Sequence, residues 1–241
     1  MKVLAIGNSF SNNAMTHLSA LSGSAGVPMK TINMCIGGCS LRTHYLNMLE
    51  SKAAYGVQFN GKDTGLVLDL KQGMLSDEWD VITLQQVSQL APRYESYQPY
   101  LDELAAFVRK YFPKAKIMMH QTWAYEEGSP RLFNVAKYDT SAAMFADIQA
   151  SYRKAADAIG ADGIIPAGAA MLRAVENGIP NVHADSFHCN AQGLYTVSLT
   201  WYGYLTGKPV EDVPFNLPGT PLEEKEIAII KRSVAEVLGQ K

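Results

Sequence analysis

The stretch KVLAIGNSFSNN, residues 2–13, decides how the rest of the chain is read. Lys2–Ile6 is a short apolar run bounded by Gly7, which reads as a buried strand. It passes directly into Gly7-Asn8-Ser9-Phe10-Ser11, and Asn12–Ala25 then sets Ala14, Leu18 and Leu21 at helical spacing before Gly26. A serine on a tight strand-to-helix turn can project its hydroxyl toward the space that its own backbone N–H faces. Ser9 or Ser11 can equally do no more than cap the helix.

Working outward, strands and helices alternate. Met29–Ile36, Asp80–Leu84, Lys116–His120 and Gly163–Ile165 read as further strands. Leu41–Tyr55, Tyr97–Phe112, Tyr138–Ile159, Gly168–Asn177, Ala191–Leu205 and Pro221–Leu238 read as helices. Strands separated by helices predict a three-layer α/β/α domain, a mostly parallel five-stranded sheet covered on both faces. Val57–Leu68 alternates around Asn60-Gly61, a hairpin signal. It reads as a small excursion over about 55–70 within a single domain, 1–241.

Composition narrows the function. Of 241 residues 47% are hydrophobic and 18% charged, the latter below the roughly 25% usual for soluble domains. The deficit is local: residues 1–41 carry only Lys2 and Lys30, and residues 186–207 carry no charge at all. A net charge of −2 argues against nucleic-acid binding, which calls for a basic excess. Val3–Ile6 is too short for the apolar region of a signal peptide, about 7–15 residues, and residues 186–207 are too polar for a membrane span. A cytoplasmic protein is the expectation, with a trimmed secreted start as the alternative. Cys35, Cys39 and Cys189 cannot build a disulfide framework. Cys35 and Cys39 match no zinc-ligand spacing with His183, Asp185 and His188.

Parallel α/β sheets bind ligands beyond the carboxyl ends of their strands. The second strand ends Ile36-Gly37-Gly38-Cys39-Ser40, where paired glycines allow close backbone approach to an oxyanion or merely a turn. The third ends Leu84-Gln85-Gln86-Val87-Ser88, where an amide can donate to substrate or to loop backbone. Downstream, Asp185-Ser186-Phe187-His188 puts a carboxylate three residues before an imidazole. It can accept the Nδ1–H and leave Nε2 to take a proton from a serine. Arg42, His44 and Tyr45 come after the glycine turn as candidate pocket residues.

Serine after strand one, glycine after strand two, amide after strand three and D-x-x-H before a late helix together resemble the SGNH (GDSL-like) hydrolases over essentially the whole chain. GNSFS, IGGCSL, WDVITLQQ and QTWAY more narrowly resemble the DUF4886 subgroup. The resemblance implies a flavodoxin-like fold and a catalytic triad of Ser9, Asp185 and His188. Alignment on Asn33 puts the oxyanion glycine at Gly38, with the Ser9 N–H beside it. Asn8 stands where the GDSL form has aspartate, a position that shapes the turn. The family's G-x-N-D is absent, and Gln85, ahead of Gln86, is the expected third oxyanion donor. Trp123 and Tyr125 come after the fourth strand and are expected either to stack on a sugar or to pack the loop. The implied activity is hydrolysis of a small acyl ester, an acetyl group on a carbohydrate, without metal or organic cofactor. A lipid or thioester hydrolase and a non-catalytic binding module are the alternatives. Asp185 is expected to be a partly buried carboxylate partnered by His188.

Overall fold

The computed structural model describes residues 1–240. Strand β1 (Lys2–Gly7) sends Val3 and Ala5 into one hydrophobic layer and Leu4 and Ile6 into the other. That is the period-two alternation of a strand covered on both faces. The chain continues through α1 (Ser9–Met15), α2 (Leu18–Ser24), β2 (Lys30–Cys35), α3 (Leu41–Leu49), β3 (Tyr55–Phe59), β4 (Lys62–Leu68), α4 (Leu70–Met74) and β5 (Val81–Leu84). Next come α5 (Tyr100–Tyr111), β6 (Lys116–His120), α6 (Ser141–Ile159), β7 (Gly163–Ile165), α7 (Ala167–Glu176), α8 (Ala191–Thr206) and α9 (Glu224–Leu238).

The sheet order is β4-β3-β2-β1-β5-β6-β7. The five expected strands form its parallel part, from β2 to the edge strand β7. The sheet has seven strands rather than five, because the hairpin joins it instead of standing apart. β3 pairs antiparallel with β2 from Cys35↔Gly56 to Ile32↔Phe59, and β4 pairs with β3. Without the hairpin, β2 would present a row of unpaired backbone groups at the sheet edge. The Asn60–Gly61 turn adds a clamp, since the Thr31 N–H donates to Asn60 Oδ1 at 2.9 Å and the Asn60 N–H to the Thr31 carbonyl at 2.8 Å.

Two helix boundaries also differ from expectation. The segment 12–25 is two helices, broken at Thr16–His17, where the Thr16 hydroxyl bonds back to the Asn12 carbonyl at 2.6 Å. Such back-bonding competes with the helical ladder and bends it. The helix starting at Leu41 stops at Leu49, and Tyr55 instead opens β3, buried under the sheet.

Helices α1, α2, α7, α8 and α9 cover one face, and α3, α4, α5 and α6 the other. Helix α8 is buried almost all round, from Tyr195 to Gly203. A helix enclosed on every side has no place for a solvated charge, which accounts for the charge-free stretch 186–207. β1 leads to α1 on the first face, while β5 leads to α5 on the second. The connections therefore diverge between β1 and β5, opening the crevice where such sheets hold ligands. No helix among the described residues is long and apolar enough to cross a membrane.

Candidate active site

The turn after β1 is built by Asn8. Buried at 2% exposure, it caps α1, its Oδ1 accepting the Phe10 N–H at 3.0 Å. Its Nδ2 donates to the Cys39 carbonyl at 3.0 Å, tying the serine turn to the glycine turn after β2. Ser11 is wholly buried, its Oγ 2.8 Å from both Asn33 Oδ1 and the Asn8 carbonyl. The two serines therefore separate: Ser11 braces the turn, and Ser9, the first residue of α1, faces the crevice. Its N–H lies in the first helical turn and has no partner within the helix. Gly7 is required here, since a Cβ would stand 2.4 Å from Ser11 Oγ.

His188 Nε2 lies 2.9 Å from Ser9 Oγ, and His188 Nδ1 lies 2.7 Å from Asp185 Oδ2. The carboxylate accepts the Nδ1–H, so Nε2 is left to accept the Ser9 hydroxyl proton. Asp185 Oδ1 also accepts the His188 N–H at 2.8 Å, closing a tight turn with Ser186 at φ 72°. That left-handed residue is held by its carbonyl, which accepts the Glu126 N–H at 2.8 Å. Asp185 is not partly buried as expected: its side chain is 51% exposed. Desolvation nonetheless pushes its pKa up, and the hydrogen bonds from the His188 ring and backbone outweigh this, leaving it below the usual carboxylate value.

The turn Ile36–Cys39 is closed by the Cys39 N–H donating to the Ile36 carbonyl at 3.2 Å, with Gly38 at φ 64°. A positive φ at this position is what glycine supplies without strain. Ser9, Gly38, Ser88, Arg131, Phe187 and His188 line a common cleft of about 360 Å³.

Neither glutamine reaches that cleft. Gln85 is buried, its Nε2 donating to Asn8 Oδ1 at 2.8 Å and its Oε1 accepting the His120 Nδ1–H at 3.0 Å. Its amide therefore holds Asn8 and is not the third oxyanion donor expected of it. Gln86 is likewise used up: Oε1 accepts the Leu41 and Val87 N–H groups, and Nε2 donates to Ser96. From the loop after β5, it is Val87, Ser88 and Gln89 that line the cleft.

Trp123 and Tyr125 are also displaced from the role of sugar platform. Trp123 is 1% exposed and stacks on Phe10 at 4.1 Å between ring centroids, its Nε1–H donating to the Phe187 carbonyl at 2.8 Å. Tyr125 is wholly buried, with its hydroxyl 3.0 Å from that of Ser88. Both support the loop that carries His188, the packing alternative of the two. A second cavity of about 170 Å³ lies behind them, between α6 and α7, and contains neither Ser9 nor His188. Among Arg42, His44 and Tyr45, none lines the cleft, and His44 is buried against Tyr55. Arg131 and Phe187 are cleft residues that the motifs did not reveal. Phe187 lay inside D-S-F-H, whereas Arg131 carries no local signal. Among the described residues no group of three or more His, Cys, Asp or Glu side chains is placed to hold a metal ion.

A family described as a domain of unknown function, DUF4886, matches residues 2–235. A DUF4886 protein from Bacteroides uniformis superposes with a TM-score of 0.92 at 32% identity, covering 100% of this chain and 96% of its own. A candidate SGNH hydrolase from Slackia heliotrinireducens gives 0.62 at 17% identity, over 85% of this chain and 98% of its own. A candidate GDSL-like lipase from Parabacteroides merdae gives 0.59 at 15% identity, over 86% and 95%. At the last two identities the likeness is one of fold. No protein of curated function matches.

Proposed function

Because the chain belongs to the DUF4886 family and has the α/β/α fold of SGNH hydrolases, we propose that it is a serine ester hydrolase acting on small acyl esters. The observation that carries this reading is the 2.9 Å contact between Ser9 Oγ and His188 Nε2, with Asp185 behind the imidazole. Ser9 Oγ attacks the ester carbonyl as His188 Nε2 takes its proton, and Asp185 holds the ring and stabilises the imidazolium. The oxyanion is met by the backbone N–H groups of Ser9 and Gly38, with no help from Gln85. His188 then returns the proton to the leaving alkoxide, and water attacks the acyl-enzyme by the same route in reverse.

An open cleft of about 360 Å³ suits a short acyl group, acetyl for choice, better than a long chain. Ser88, Gln89 and Arg131 on its wall favour a polar alcohol such as a sugar hydroxyl. The lipase-like neighbour favours the second reading, a lipid or thioester hydrolase, which a series of acyl chain lengths distinguishes. The deciding experiment is hydrolysis of p-nitrophenyl acetate by the wild type and by Ser9→Ala. The variant is expected to lose on the order of 10⁴- to 10⁶-fold in kcat. Equal rates overturn the Ser9 mechanism, and no hydrolysis by either protein favours the non-catalytic binding module.

A further inference from the structure

Arg131 takes no part in the proton transfers between Ser9 and His188, yet it faces the same cleft as Ser9. Its guanidinium carbon lies 3.8 Å from the Phe187 ring centroid and 5.6 Å from that of Tyr125. The aromatic faces hold it in place. No carboxylate lies within 4.0 Å of it among the described residues. The acidic residues of its own loop are already engaged. Glu127 accepts the Ser141 N–H and hydroxyl at 2.7 Å each, and Glu126 accepts Asn181 Nδ2 at 2.9 Å. Both oxygens of Asp185 serve His188. Apart from His188, Arg131 is the one ionisable side chain on the cleft wall among the described residues, so the cleft holds a positive charge and a fork of unused N–H donors. Such a fork matches an oxyanion bidentately.

Its position says which part of the substrate it meets. The His188 ring centroid and the guanidinium carbon each lie 3.8 Å from the Phe187 centroid, so they stand no more than twice that distance apart. His188 delivers the proton to the leaving oxygen, whereas the oxyanion is met by the backbone N–H groups of Ser9 and Gly38. The group beside His188 therefore faces the alcohol portion of the ester.

We infer that Arg131 selects esters whose alcohol portion carries an anionic group, a carboxylate above all, such as the acyl ester of a hydroxy acid or an acidic sugar. This rests on the hydrolase reading, and the test separates the two. 3-Acetoxybenzoate and its methyl ester differ in one charge on the alcohol side. The wild type is expected to favour the carboxylate by about 10- to 100-fold in kcat/KM, expressed in KM, the range for one charge-assisted pair. Arg131→Gln brings the ratio close to unity whatever its rate on the methyl ester, and Arg131→Lys restores part of it. Calorimetric titration of Ser9→Ala with the same two esters, against Ser9→Ala/Arg131→Gln, reads the preference without turnover. It supports the assignment even if the wild type hydrolyses neither ester, a result that would sink the hydrolase reading alone. A ratio near unity in the wild type, or one that Arg131→Gln leaves unchanged, overturns the role of Arg131.

Discussion

Asn8 joins three parts of the site through one side chain: it caps α1, receives the Gln85 amide and donates to the Cys39 carbonyl. A carboxamide can do all of this because it carries a donor and an acceptor, while an ionised carboxylate carries only acceptors. Asn8→Asp keeps the cap and the bond from Gln85 but sets an oxygen against the Cys39 carbonyl. Asn8→Ala removes all three bonds. Urea unfolding is expected to rank wild type above Asn8→Asp above Asn8→Ala. The last should fall by about 2 kcal/mol or more, from a lost cap and two buried groups left unpaired. Equal midpoints for wild type and Asn8→Asp would show that the Cys39 bond contributes nothing. Gln85 has a similar history. At a strand end its amide could serve substrate or loop backbone, the family resemblance made it the expected oxyanion donor, and only the presence of Asn8 and His120 on either side makes it a brace.

At the scale of elements, the hairpin shows how a local signal can be right while its consequence stays hidden. Asn60 at φ 49° and Gly61 at φ 78° form the two-residue turn that Asn-Gly announces. Where that hairpin docks depends on β2 and on the end of α1. A Cβ on Gly61 would stand 2.0 Å from the Thr16 carbonyl oxygen, so the turn closes directly against the break between α1 and α2. Gly61→Ala must therefore push the hairpin off that contact as well as strain the left-handed backbone. The expected cost is on the order of 2 kcal/mol, or roughly 4–8 °C in Tm, read by thermal unfolding. An unchanged Tm would mean that the hairpin docks loosely and that the edge of β2 is protected some other way.

For the molecule as a whole, two buried histidines set the response to acid. His44 and His120 are fully enclosed, and burial pushes each pKa down from 6.5 to about 3. The unfolded chain binds these protons near the ordinary value, so between pH 6.5 and about 3 it holds more protons than the folded one. Stability then falls as pH falls across that window, by a total on the order of several kcal/mol. The carboxylates Asp77 and Asp185, held below their usual value of 3.8 by their partners, add their loss as the pH falls below that value. Urea midpoints measured across the window should decline, and His120→Gln, which keeps a donor for Gln85 but cannot titrate, should flatten part of the slope. A slope identical to wild type would mean that His120 is protonated in the folded protein. The same enclosure divides what the sequence determined from what it could not. Strand and helix periodicity and the turn residues are local, and they sufficed for the parallel α/β order, whereas Ser9, Gly38, Asp185 and His188 were singled out by the family resemblance that the motifs carry together in order. Local bonding made Asp185 and His188 a pair, but only the packing of α8 against α1, with the Cys189 N–H donating to Asn13 Oδ1, brings His188 to Ser9, 179 residues away. Burial of Trp123 and Tyr125, the inward turn of Gln85, the docking of the hairpin's two strands onto the sheet and the arrival of Arg131 at the cleft were decided by tertiary packing. A side chain's direction depends on what fills the space around it, and that space is built by residues distant in the chain.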